Sequence, residues 1–314
     1  MKRLFAAALA LSFAAAAPAT ERFTLATWNM EWMMTPQVFD ALAPTCFGGN
    51  ARANGNERAI PCDLAPKGRW SEADLARIRD FAASLPADVI ALQEIDGREV
   101  ASMLFPGREF CFTKRRAVQN VGFAIRQGIR FRCNGDFKAL GLPENDVRWG
   151  ADLTLEPGTP REMRLLVVHL KSSCNRDPLT SERFECRLLQ RQVPVLEDWI
   201  DARAKAGSAF GVIGDYNRRF DREGKVARDA KGAIVAMWPE IDDGEPGGAD
   251  LVNPGADHGS VGCANGFSKR MPIDYLILGK RLAERLVPGS FRVWDYPAGG
   301  RWPDHCVISI ELER

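Results

Sequence analysis

Six short segments of this chain gather residue types able to handle a phosphate ester. They are Thr27-Trp28-Asn29-Met30-Glu31, Ala91-Leu92-Gln93-Glu94, Val168-His169-Leu170-Lys171, Gly214-Asp215-Tyr216-Asn217, Ile273-Asp274-Tyr275 and Pro303-Asp304-His305. Each sets an acidic, amide or imidazole group beside a short apolar run. Metal-assisted attack of water on phosphate needs that inventory: hard oxygen ligands for a cation, a group that orients or deprotonates water, and donors for the charge that builds on the phosphoryl oxygens. Singly the segments carry little weight. Asp-x-Asn is commonly a turn whose side chain bonds its own backbone, a Glu at a strand end is commonly solvated, and a lone His beside a β-run is more often structural. Six in this order, each on its own strand, argue for strand ends that converge on one site.

The elements that must position them follow from periodicity. Phe23 to Trp28 alternates apolar and polar residues as a strand and ends at Asn29-Met30-Glu31. Thr35 to Gly68 is rich in Pro, Gly and Asn and reads as a long loop. Ser71 is a good N-cap for a helix over Glu72 to Ser84, with Leu75, Ile78 and Phe81 on one face. Asp88 to Gln93 is a short buried strand that delivers Glu94, and a short helix follows near Arg98 to Leu104. Strands are expected at Phe110 to Thr113, Val121 to Arg126, Ile129 to Arg132, Val147 to Leu155 and Leu165 to Leu170. Glu182 to Ala206 is helical in pattern, and Pro194 is expected to kink or split it. Phe210 to Ile213 is a strand ending at Gly214-Asp215. A Gly- and Pro-rich loop covers about 221–270, and Ile273 to Leu278 and Cys306 to Leu312 are the last strands. Strands outnumber helices, which separate them irregularly. That pattern argues against a doubly wound parallel sheet and for an α/β sandwich of mixed sheets flanked by helices.

The chain has 314 residues, and 46% are hydrophobic, enough to bury the core of one large domain. No repeat or composition shift marks a second one. Residues 1–19 read as an export signal: Lys2 and Arg3, an uncharged apolar run from Leu4 to Ala16, then the small residues Ala17-Pro18-Ala19. A buried N-terminal helix is the plainer alternative. The apolar run is too short to span a bilayer, and no later stretch suits a membrane span. The net charge of +1 becomes −1 when Lys2 and Arg3 leave with the signal, so any polyanion must be met by a local basic patch.

Eight cysteines follow the signal, an even number in a chain expected in an oxidising compartment, and disulfides are therefore expected. Cys46/Cys62 and Cys174/Cys186 would close short loops, leaving Cys111/Cys133 and Cys263/Cys306. A zinc site is the rival, but its C-x-x-C and C-x-x-H spacings are missing.

Taken together, the six segments resemble the endonuclease/exonuclease/phosphatase superfamily, which includes deoxyribonuclease-I-like nucleases, abasic-site endonucleases, sphingomyelinases and inositol-polyphosphate phosphatases. The resemblance runs from Phe23 to Glu313, and its most specific pieces are the W-N and Q-E strand ends, G-D-x-N and the closing D-H. It implies a four-layer α/β (α+β) sandwich, two mixed sheets face to face with helices outside, over residues 20–314. By the same resemblance Glu94 is the main ligand of Mg²⁺, with Mn²⁺ or Ca²⁺ as alternatives. Glu31 and Asp304 complete the metal's surroundings, and Asn29 lies beside it, bonding the metal shell or the phosphate. Asp215 orients or deprotonates water, Asn217 bonds the phosphate, His305 contacts it with Asp274 fixing the ring, and His169 donates to it. Whether Asp215 or the His–Asp pair is the base stays open.

The resemblance also implies that Arg148, just before a strand where deoxyribonuclease-like relatives carry an Arg, contacts the substrate phosphate, and Lys171, after His169, either reaches the same phosphate or is solvated. Pro303 stands where a Ser most often precedes the closing D-H, at a position that does not react. Lys114-Arg115-Arg116 is either a backbone-binding patch or a solvated face, and His258 in its Gly-rich loop has no chemical role assigned. The leading expectation is a periplasmic or secreted, monomeric nuclease acting on DNA or RNA. The alternatives are a sphingomyelinase-like phosphodiesterase, which would carry an exposed apolar hairpin where loops such as Gly141 to Asn145 are polar, and a soluble phosphomonoesterase. A non-catalytic module would have lost one of the central residues, and all are present.

Overall fold

The computed structural model describes residues 21–48, 58–142, 147–247, 249–258, 263 and 272–314. The expected signal 1–19 and the loop positions 143–145 lie outside the described residues. In chain order the elements are β1 (Arg22–Met33), α1 (Pro36–Leu42), α2 (Glu72–Ser84), β2 (Val89–Ile95), α3 (Arg98–Leu104), β3 (Arg108–Phe112), β4 (Asn120–Arg126), β5 (Phe131–Phe137), β6 (Gly150–Leu155), β7 (Met163–His169), α4 (Phe184–Lys205), β8 (Phe210–Asp215), α5 (Trp238–Ile241), β9 (Leu251–Val252), β10 (Asp274–Gly279), α6 (Lys280–Ala283), β11 (Arg292–Trp294) and β12 (Val307–Glu313).

Two six-stranded mixed sheets result, ordered β11-β12-β1-β2-β4-β3 and β5-β6-β7-β8-β10-β9. Each holds one parallel pair at its centre, β1 with β2 and β7 with β8, and antiparallel neighbours elsewhere. Alternation along the strands divides the core into three layers. Phe23 and Leu25 of β1, Val89 and Ala91 of β2, Leu165 and Val167 of β7, Ile213 of β8 and Leu276 and Leu278 of β10 fill the seam between the sheets. The opposite faces pack against helices. Trp28, Ile90 and Leu92 meet Ile78 and Phe81 of α2, and Leu166, Val168 and Val212 meet Leu189, Val193, Leu196 and Ile200 of α4. The architecture is helix, sheet, sheet, helix.

The helix over Glu72–Ser84 starts where its sequence directs. Ser71 Oγ accepts from the Asp74 amide while the Asp74 carboxylate accepts from the Ser71 amide, a complete capping box worth about 1 kcal/mol. Two expectations need correction. The stretch from Thr35 to Gly68 is not all loop: Thr35 caps the Val38 amide (3.3 Å) and Pro36 opens α1 with its φ already set. Pro194 does not split the long helix, which runs unbroken from Phe184 to Lys205. Pro194 is on the exposed face, and the loss of one backbone bond there is outweighed by the buried stripe on the other side. The short elements α5, β9, α6 and β11 carry too few residues for a periodic signal.

Four disulfides join Cys46–Cys62, Cys111–Cys133, Cys174–Cys186 and Cys263–Cys306, the expected pairing. Cys111 lies on β3 and Cys133 on β5, so one bond clamps the two sheets together at a shared edge. Another fixes Cys306, the neighbour of His305, to Cys263.

Candidate active site

The strand alternation that fills the seam also builds the site. Asn29 continues the face of Phe23 and Leu25, His169 that of Leu165 and Val167, Asp215 that of Ile213, and Asp274 that of Leu276. Where the apolar residues of the seam stop, these polar ones begin. Register does the rest. His169 pairs with Asp215 and Asp215 with Asp274, so three neighbouring strands set their functional side chains in one row. On the facing sheet, Asn29 pairs with Gln93 in the adjoining row. Parallel strands contribute their C-terminal ends, whereas β10 and the segment before β12 run the other way and contribute their starts, Asp274 and Asp304-His305.

The rows touch across the seam. Asn29 Nδ2 donates to Asp215 Oδ2 (3.1 Å) and to Glu94 Oε1 (3.3 Å). His169 Nε2 lies 3.4 Å from Asp215 Oδ2 and 3.5 Å from Glu94 Oε1. Gly214 is hemmed in by the neighbouring strand and by the facing sheet: a Cβ there would sit 2.2 Å from the Val168 carbonyl oxygen of β7 and 3.2 Å from Gln93 Nε2 across the seam, and its φ is +134°. Only glycine fits there. Behind it, Gln93 Nε2 donates to Thr27 Oγ1 (3.0 Å), closing the buried layer beneath the site.

Both strand ends turn by the same device. Asn29 Oδ1 accepts from the Glu31 amide (3.1 Å) and Asp215 Oδ1 from the Asn217 amide (2.7 Å), side chain to backbone turns of the Asx type. Glu31, Trp32, Glu94 and Asn217 all have positive φ, between 47° and 54°, and such strain costs of order 1–3 kcal/mol per residue. The pairing of β2 shifts register between Leu92 and Ile95, and that irregularity turns Glu94 out of its strand, where the Trp32 amide donates to Oε2 (3.1 Å).

Burial and mutual repulsion govern the carboxylates. Burial, then the neighbouring Asp304 charge, raises the Glu94 carboxyl above its ordinary range. Glu31 is raised by burial and by Asp304, against the pull of Lys67, whose Nζ donates to Glu31 Oε1 at 2.8 Å. Asp215 is pushed up to about 7 by burial and by Asp274, despite the Asn217 amide and His305. The imidazoles diverge. Burial works against a charge on His305, but Asp274 Oδ2, 2.7 Å from His305 Nδ1, together with Asp215 and Asp304, outweighs it and holds the ring cationic well above its usual range. Burial and the nearby charges of Arg148 and His305 push His169 well down, so it is neutral. With Nε2 facing two carboxylates, the Nε2–H tautomer fits, and Nδ1 is left buried without a partner.

Among the described residues, Asp215, Asp274 and His305 each place one ligand atom within 4.8 Å of one another, a group that could hold a metal ion. The Asp304 charge also bears on Glu94 and on Glu31 and disfavours the ionisation of both, a repulsion that a hard cation would relieve.

The remaining candidates are placed differently. Arg148 is turned inward: Nε donates to the His169 carbonyl (3.0 Å), Nη2 to that of Leu170 (2.6 Å) and Nη1 to Gln119 Oε1 (3.1 Å). Its charge is felt by Glu94 and His169, but its donors hold the end of β7. Lys171 Nζ donates to the Ser172 carbonyl (3.0 Å), within its own turn. Asn217 Nδ2 donates to the Leu170 carbonyl (3.1 Å). His258 is stacked on Phe291 (centroids 4.6 Å apart) away from the row. Two supporting residues escaped sequence reasoning. Lys67 comes from a Pro-rich turn with no pattern to single it out. Tyr296 accepts from Trp28 Nε1 (2.8 Å) and donates to the His305 carbonyl, tying the His305 segment to the core of β1.

Fold and site together define the class: a four-layer α/β sandwich of the deoxyribonuclease-I-like type, the fold of the endonuclease/exonuclease/phosphatase superfamily, with its polar cluster at one end of the seam. Solved structures with this fold include a 3′ phosphatase, NExo from Neisseria, bound to a product DNA hairpin (14% identity, 93% of this chain and 100% of that one, TM-score 0.55). TDP2 from Caenorhabditis elegans is similar at 14% identity over 94% of this chain and 75% of that one (TM-score 0.56). The human Nocturnin catalytic domain with a bound sulfate anion is similar at 15% identity over 93% of each chain (TM-score 0.52). At such identities the likeness is one of fold. No protein-family model and no curated protein matches the sequence.

Proposed function

We propose that this protein is an exported, divalent-metal-dependent phosphoester hydrolase that cleaves nucleic acid. The observation that carries the reading is the row His169–Asp215–Asp274 facing Asn29 and Glu94 across the seam. One cluster thus contains a carboxylate tuned near neutrality, a cationic imidazole and a set of oxygen ligands. Asp215, at about 7, can accept a proton from water near physiological pH. His305, kept cationic by Asp274, offsets the negative charge of a five-coordinate phosphorus. Neutral His169 donates from Nε2, Asn29 spends its two N–H groups on Asp215 and Glu94 and so positions both carboxylates, and Asn217, with one N–H on the Leu170 carbonyl, has the other for the phosphate. Glu94, Asp304 and Glu31 are the residues that would hold Mg²⁺, Mn²⁺ or Ca²⁺, and the ion when bound supplies Lewis acidity at a phosphoryl oxygen.

Nucleic acid is favoured over lipid by the surface. The exposed large apolar side chains among the described residues are Met103, Val226 and Val252, on three separate segments rather than one docking hairpin. A fold neighbour bound to a DNA hairpin supports the same substrate. Export is supported by four disulfides, which persist in oxidising compartments.

The test is cleavage of supercoiled plasmid and of a single-stranded oligonucleotide by the purified protein with each divalent ion, beside EDTA. Glu94→Gln, Asp215→Asn and His305→Ala are each expected to lower the rate about 10²–10⁴-fold. Full activity in EDTA, or in Asp215→Asn, would refute the proposed centre.

A further inference from the structure

A second concavity adjoins the catalytic seam. It is a cleft of about 570 Å³ between the turn that follows β2 and the ribbon of β3 and β4. Its walls hold five cationic side chains, Arg58, Arg98, Lys114, Arg115 and Arg116, against one carboxylate, Asp96. Asp96 is occupied by Arg58 through two hydrogen bonds of 2.8 and 2.7 Å, so the wall's one carboxylate is not turned to Lys114 or Arg116. Lys114 and Arg116 are exposed, and among the described residues neither side chain makes a hydrogen bond or ion pair. The floor is aromatic. Phe110 and Phe112 stack at 5.9 Å with 23° between their planes, the Arg98 guanidinium lies 5.6 Å over Phe110, and Phe112 remains half-exposed.

The strand that carries Glu94 leads into the cleft: Asp96, on its wall, stands two residues beyond Glu94. Arg115 Nη1 donates to the Gln119 carbonyl (3.3 Å), Gln119 Oε1 accepts from Arg148, and Arg148 holds the His169 carbonyl. A polyanion cut at Asp215 and Glu94 can therefore continue into a positively charged channel with an aromatic floor. Basic walls meet a phosphate backbone whatever its sequence, and an aromatic face accepts any base that is not held in a duplex.

We propose that this cleft binds the nucleotides flanking the scissile phosphate of a single-stranded nucleic acid, with Lys114 and Arg116 on backbone phosphates and Phe112 under a base. The proposal rests on the nuclease reading of the neighbouring centre.

Its test is fluorescence anisotropy with a labelled single-stranded oligothymidylate in EDTA, which measures binding without turnover. For Lys114→Glu/Arg116→Glu, affinity is expected to fall roughly tenfold or more, and the slope of log K against log salt to flatten by about 1.4, near 0.7 for each lost phosphate contact. Phe112→Leu keeps an apolar floor but no stacking face. It is expected to weaken binding about fivefold or more while leaving the salt slope unchanged. Should the double variant fail to fold by thermal melting, Lys114→Ala and Arg116→Ala singly are each expected to flatten the slope by about 0.7. An unchanged affinity and slope in these variants, or a wild-type protein that does not bind the single strand, would overturn the proposal. Hydrolysis of bis(4-nitrophenyl) phosphate, a diester too short to reach from the centre into the cleft, scores the catalytic reading separately.

Discussion

Replacing Asp274 by Asn removes one charge from the buried His305–Asp274 pair while keeping its shape and an acceptor oxygen. The pair is 2.7 Å apart, with side chains 7% and 6% exposed, so solvent screens it poorly. Opposite unit charges about 4 Å apart attract by about 4 kcal/mol at an effective dielectric constant near 20. Losing about 3–4 kcal/mol shifts the ratio of imidazolium to imidazole roughly a hundred- to a thousandfold. Burial, which already opposes the charge, then prevails. The chain has three histidines, so an NMR titration of their imidazole carbons reads each ring separately. Wild-type His305 is expected to stay cationic through neutral pH, and in Asp274→Asn it is expected to be neutral there. Stability gives a second readout. The folded-state value for His305 lies above its unfolded value, so its contribution is complete below the unfolded value and disappears as pH rises through the folded one. The variant should therefore melt well below wild type in mild acid, and the gap should narrow in alkali. A His305 resonance that titrates identically in both proteins would refute the reasoning, as would a melting gap that does not change with pH.

Three other expectations concern the scaffold. Glu197 on α4, raised to about 8 by burial and by Asp201 and Asp243, binds a proton in the folded chain that the unfolded chain releases above its ordinary range near 4.5. Its effect is thus a loss of stability as pH climbs from about 4.5 to 8, and Glu197→Gln should raise the melting temperature by about 2 °C at pH 9 and not at pH 4. Gly214→Ala meets a carbonyl at 2.2 Å and a φ of +134°; a loss of about 3 kcal/mol or more is expected in chemical denaturation, and near-wild-type stability would contradict the close approach of strands described above. Cys263→Ser/Cys306→Ser releases the segment next to His305. It should lower kcat by about tenfold or more, although Tyr296 and Asp274 still hold His305, and a variant with wild-type kcat would show that the disulfide does not position the ring.

Much of the chemistry was legible because strand ends are local objects. An apolar run followed by Asn, Glu, His or Asp announces a strand and its terminal polar residue together, and the segments around Asn29, Glu94, His169 and Asp215 each have that form, while Asp274 opens its run. The disulfide pairing was legible in part: the short spacings 46–62 and 174–186 suggest loop-closing bonds, whereas the four remaining cysteines allow three pairings, and the fold selects 111–133 and 263–306. Arg148 was not. Its position before a strand suggested a free cation, yet three of its N–H groups bond the carbonyls of His169 and Leu170 and the Gln119 side chain, partners from distant parts of the chain. The helix through Pro194 misled for the complementary reason: a local breaker was overruled by a stripe of long-range contacts.

The sequence by itself determined which side chains each strand presents and on which face, because alternation is a property of the extended backbone alone. Only the tertiary structure decided that His169, Asp215 and Asp274 share one row, since register depends on which strands pair and in which direction. It also decided their charges. Asp215 near 7, a cationic His305 and a neutral His169 follow from burial and from neighbours brought together across the seam, and none of these is encoded within a few residues of the group it perturbs.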